Sequence, residues 1–116
     1  MLKDISALLE QAAAVETVQS VQPEFENMPV HGVCTSDLLS DVLANGRDAA
    51  VLVTIQAHRN TVAVASITGI RLIIICNNRP VEPDMIEAAR QEGIGILRTS
   101  LSQFEVSGRL WQALHS

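Results

Sequence analysis

Apolar residues recur at helical spacing from the start of the chain. Leu2, Ile5, Leu8, Leu9 and Ala12 fall on one face of a predicted amphipathic helix over residues 2–12. Val15, Val18 and Val21 mark a weaker extended segment, and the proline- and glutamate-bearing stretch 22–29 reads as loop. Residues 30–34 form a short predicted strand. Thr35, Ser36 and Asp37 then offer an N-cap cluster for a helix carrying Leu38, Leu39, Val42 and Leu43, which stops at Asn45-Gly46. From residue 50 the pattern is more regular. Strands are predicted at 50–55, 71–76 and 94–98, and helices at 60–68 and 83–92, the latter with a proline in its first turn and Gly93 as its stop. Ser100 stands three residues before Gln103, the spacing of a capping box for a last helix. Alternating helices and continuously apolar strands predict an α/β fold. It has three layers, with a mainly parallel central sheet of about five strands and helices on both faces. Right-handed crossovers would then gather the loops after the last three strands at one edge.

Size and charge narrow the function. The 116 residues suffice for one domain, and 47% apolar residues suffice for its core. A net charge of −5 and only three aromatic residues (Phe25, Phe104 and Trp111) argue against a nucleic-acid surface, which needs clustered cations or stacking rings. The longest apolar runs, 49–53 and 72–76, are too short for a bilayer, and the charged start is unlike a secretory leader. A soluble cytoplasmic chain with its two cysteines reduced and mostly buried is expected.

Three stretches are recognisable together. They run from Ser36-Asp37-Leu38-Leu39-Ser40-Asp41-Val42-Leu43-Ala44-Asn45, through Thr54-Ile55-Gln56-Ala57-His58-Arg59, to Glu92-Gly93-Ile94-Gly95-Ile96-Leu97. In this order they resemble the DRTGG domain family from about Val30 onward. The resemblance implies a single domain of the regulatory kind found in phosphate acetyltransferases and CBS-containing pyrophosphatases. It is nearest in kind to the small stand-alone proteins linked with hydrogenase components. Arg59 sits at the family's Arg, while His58 replaces its Asp and Cys76-Asn77-Asn78 replaces Thr-Gly-Gly. Asparagine tolerates positive φ, so the Asn77-Asn78 turn is expected to persist.

Residues at the predicted loop edge are the candidate chemistry. His58, Arg59, Asn60, Thr61, Asn77, Asn78, Arg98 and Ser100 would come together there, with helix N-termini close by, as a site for a small anionic ligand. No Gly-rich phosphate loop is present, which excludes a P-loop kinase. His31 and Cys34 have a metal-like spacing but lack a second pair, so no metal, cofactor or iron–sulfur cluster is expected. Asp37 and Asp41 read as helix-capping carboxylates rather than catalysts. Leu101, Phe104, Leu110, Trp111 and Leu114 give the last helix an apolar stripe. Most of it is expected to pack on the sheet, with Trp111 a core anchor or a subunit contact. The reading is therefore a non-catalytic regulatory or sensing domain, a homodimer binding a small anion or a partner enzyme. Two alternatives remain open: a protein-interaction subunit without a ligand, and an enzyme using His58 and Arg59 on a phosphorylated or carboxylated molecule.

Overall fold

The computed structural model describes residues 1–11 and 15–116. Five strands form one sheet in the order β1-β5-β4-β3-β2. They are β1 (Val15–Gln19), β2 (Val33–Thr35), β3 (Val51–Thr54), β4 (Leu72–Ile75) and β5 (Gly95–Thr99). Strands β2 to β5 run parallel, and β1 closes the far edge antiparallel to β5, with a register shift between Thr17 and Gln19. The expected mainly parallel α/β sheet is present. The weak valine pattern at 15–21 is its one antiparallel strand.

Both faces of the sheet are buried, which is why β3 and β4 are apolar at nearly every position rather than at alternate ones. Leu52, Ile73, Ile75 and Ile96 face one layer, made of α2 (Leu39–Asn45), α3 (Arg59–Thr68) and α4 (Pro83–Glu92), whose Val42, Val62, Ala65, Met85 and Ala89 fill the core. Val51, Val53, Leu72, Ile74 and Leu97 face the other layer. There α1 (Leu2–Glu10) contributes Leu2, Ile5 and Leu9, and α5 (Gln103–Leu114) contributes Val106 and Leu110. Ala12, the last position of the helix expected at 2–12, lies outside the described residues.

Local signals account for the helix ends. Gly69 and Gly93 adopt positive φ (87° and 71°) as the stops of α3 and α4. The capping box of α5 sits two residues later than expected. Ser102 Oγ accepts from the Glu105 amide at 3.1 Å, and Glu105 accepts from the Ser102 amide at 3.2 Å. The shift arises because buried Leu101 carries the chain off β5, its amide held by Thr99 Oγ1, before the helix can begin.

The stripe on α5 also divides differently from expectation. Leu101 and Leu110 are buried, whereas Phe104 is 86% exposed and Trp111 67% exposed. Trp111 is therefore not a core anchor. Cys76 is buried, but Cys34, expected to be mostly buried, is half-exposed on the edge strand β2.

Candidate functional site

The carboxy-terminal edge of the sheet collects the loops after β2, β3, β4 and β5, as the topology requires. Backbone bonds lace these loops into a rim. The Ser36 amide donates to the Val53 carbonyl and the Cys76 amide to the Thr54 carbonyl. The Asn77 and Asn78 amides donate to the Leu101 and Thr99 carbonyls at 3.0 and 2.9 Å. Asn77 and Asn78 hold φ of 59° and 51°, so the turn expected there is present without glycine. Its two asparagine amides are spent on bracing the neighbouring loop, however, and do not point to a ligand.

At the centre of the rim sits Asp37, which the sequence had suggested as a helix cap. It does not cap α2, whose N-cap position is Leu38 and which has no side-chain cap; Ser36 Oγ accepts from the Leu38 amide at 3.2 Å just ahead of the helix. Asp37 Oδ1 accepts from Thr54 Oγ1 and from the Ile55 amide, both at 2.9 Å, and Oδ2 accepts from Gln103 Nε2 at 3.0 Å. One carboxylate thus joins the β2–α2 loop, the end of β3 and the start of α5. Partial burial pushes its pKa upward. The Ile55 amide, the Gln103 and Thr54 donors and the field of Arg79 together outweigh that, and the carboxyl is held below the ordinary range. Close by, burial first and the Asp37 charge second push the Cys76 thiol up to about 12, so it is neutral and inert at physiological pH.

The eight expected site residues all lie on or next to this rim, with different roles. Thr61 is fully buried and its hydroxyl donates to the Gln56 carbonyl at 2.7 Å, bracing the loop into α3. Arg98 is committed to the frame as well. Its Nε and Nη2 donate to the Arg79 and Asn78 carbonyls at 2.9 and 2.8 Å, and Nη1 to Glu16 at 3.1 Å. His58, Arg59, Asn60, Asn77, Asn78 and Ser100 are exposed. His58 Nδ1 lies 3.8 Å from Glu82 Oε1, linking the starts of α3 and α4. Arg59 opens α3 and lines a shallow groove of about 230 Å³ between α3 and α4. Arg79, within the same Asn turn, is a rim cation the sequence reading passed over. Among the described residues neither Arg59 nor Arg79 makes an ion pair. No group of three His, Cys, Asp or Glu side chains that could hold a metal occurs among the described residues.

No family model matches the sequence, and no curated protein is similar to it. Solved structures do match. The chain is similar to the crystal structure of the CBS and DRTGG domains of the regulatory region of Clostridium perfringens pyrophosphatase complexed with its activator, diadenosine tetraphosphate. The TM-score is 0.76 at 17% identity, over 97% of this chain and 46% of that one. At this identity the likeness establishes the fold, in keeping with the DRTGG resemblance of the sequence. The chain spans less than half the length of that solved relative.

No helix among the described residues is long and apolar enough to cross a membrane.

Proposed function

We propose that this chain is a non-catalytic regulatory domain whose loop rim receives a compact anionic ligand. The observation that carries the reading is the pair of exposed arginines, Arg59 and Arg79. Neither is neutralised by an ion pair among the described residues, although the chain as a whole is acidic. A local cationic rim on a negative protein favours small anions over extended polyanions. Exposed His58 and Asn60 add hydrogen-bonding groups at the start of α3, whose helix dipole favours negative charge. The fold is shared with part of a regulatory region that, in the pyrophosphatase, is complexed with a nucleotide activator, which makes phosphorylated nucleotides the first ligands to try. Thr61 and Arg98 belong to the frame that shapes the rim rather than to the contact surface.

Thermal unfolding in the presence of inorganic phosphate, mononucleotides and diadenosine tetraphosphate tests this. A ligand that binds only the native state at 100 times its Kd raises stability by about 2.7 kcal/mol. The Arg59→Ala and Arg79→Ala variants should each lose that gain while melting as the wild type does without ligand. Binding that survives both substitutions, or no stabilisation by any of these anions, overturns the reading. The alternative, a protein-interaction domain without small ligand, is favoured by the exposed rings of α5. Turnover lost on His58→Ala would instead support catalysis.

A further inference from the structure

We propose that α5 is the contact of a two-fold homodimer in which two copies of the helix pack antiparallel about Ser107 and Gly108. Phe104 (86% exposed), Gly108, Trp111 and Leu114 follow one another at spacings of three and four, so they form one stripe along the helix, bordered by half-buried Ser107, whose hydroxyl is hydrogen-bonded to that of Thr35 on β2 at 2.7 Å. No charged side chain interrupts it. Trp111 is held in place by its own chain, its ring stacked on that of His115 with centroids 3.8 Å apart. A preset aromatic surface of this kind loses little side-chain entropy on docking.

Gly108 has no explanation inside the chain. It lies mid-helix, where glycine is about 1 kcal/mol less favourable than alanine. A Cβ placed on it would meet nothing within 4 Å, and its backbone does not require a positive φ. An open glycine between two exposed rings is accounted for by the close approach of another backbone from outside.

The spacing makes the stripe complementary to itself. In an antiparallel pair with its axis between residues 107 and 108, Phe104 of one copy stands opposite Trp111 of the other, and Ser107 opposite Gly108. The two rings are equidistant from the axis, so the contact occurs twice, as an isologous interface demands. Aromatic side chains bury on the order of 150–250 Å² each, so four such rings supply about half of a standard interface. Leu114, on the same stripe next to Trp111, extends that area.

Light scattering after size exclusion of the full chain should give twice its 12.5 kDa mass at micromolar concentration. Trp111→Glu and Phe104→Lys should each weaken the dimer by about 30-fold or more, the size of a central aromatic contact. Both side chains are exposed, so the secondary structure of either variant should match the wild type. Gly108→Gln should likewise dissociate the dimer while raising the thermal stability of the monomer. The double variant Phe104→Lys/Trp111→Glu should recover dimer, because each lysine then faces a glutamate of the other copy. A wild-type monomer, a dimer indifferent to Trp111→Glu, or a double variant that stays monomeric overturns the proposal. Anion binding at the rim can be scored separately in every variant.

Discussion

Removing the Asp37 carboxylate should be among the most costly single changes outside the apolar core. In Asp37→Ala three donors lose their acceptor at once: Thr54 Oγ1, the Ile55 amide and Gln103 Nε2. Hydrogen bonds to a charged group contribute about 1.5–3 kcal/mol each, so a simple sum would exceed 4 kcal/mol. Asp37 is only half-buried, and water can reach part of the gap, which lowers the expectation to about 2–4 kcal/mol. Thr54 itself is fully buried, so its hydroxyl cannot simply turn to solvent. Asp37→Asn keeps an oxygen for Thr54 and Ile55 and should cost about 1 kcal/mol, within the range of one neutral-for-charged exchange. Urea unfolding of the three proteins measures both values. The pH dependence gives a second reading. Because the folded pKa lies below the ordinary 3.8, the carboxylate contributes stability above that value and loses it as pH falls through the folded pKa. The gap between wild type and Asp37→Asn should therefore be full at neutral pH and close in acid. A loss under about 0.5 kcal/mol for Asp37→Ala, the scale of an ordinary surface change, would refute the role given to this residue.

Three further outcomes follow from the geometry. Cys76, its thiol raised to about 12 by burial, should resist alkylation until the chain unfolds, while half-exposed Cys34 should react slowly in the native state; mass spectrometry after iodoacetamide separates the two. Because the unfolded thiol ionises near 9.0, stability contributed by Cys76 should be lost as pH rises from there towards 12, and Cys76→Ser should flatten that alkaline decline in a denaturation series. Gly95→Ala should cost about 1–3 kcal/mol in urea unfolding, since the added Cβ would lie 2.5 Å from Val21 Cγ2 and 3.0 Å from the Val21 amide nitrogen.

The architecture was largely legible because burial on both sheet faces leaves continuous apolar strands at β3 and β4, and because prolines and glycines punctuate the helices. The last helix shows where that legibility ends. Period alone could not separate exposed Phe104 and Trp111 from the residues of the stripe that pack on the sheet, since an apolar stripe looks the same whether it faces a sheet or another molecule. Its breadth was the available signal, for Val106 and Leu110 are the residues of the helix that are buried. Asp37 was misread for a related reason. Beside a helix start an aspartate usually caps its own helix, and nothing local announces that it reaches a strand residue, Thr54, seventeen positions away. Of the candidate site, the loop placement and the Asn turn could be foreseen from topology and residue type. The inward commitment of Thr61 and Arg98 could not, because it depends on which carbonyls the rim leaves open.

The antiparallel seat of β1 has a consequence for how the chain reaches this state. Its partner β5 is the last strand, so the bond between Glu16 and Arg98 closes a separation of 82 residues. The first helix, α1, joins α5 in the same core layer. During synthesis this segment leaves the ribosome before the strand it must pair with, so it waits for β5 while β2, β3 and β4 can assemble as they emerge. Until β5 and α5 arrive, the core layer that α1 shares with them is incomplete. Such long-range closure slows folding through its entropy cost, and the segment ahead of it is the part of the nascent chain that a chaperone would meet exposed.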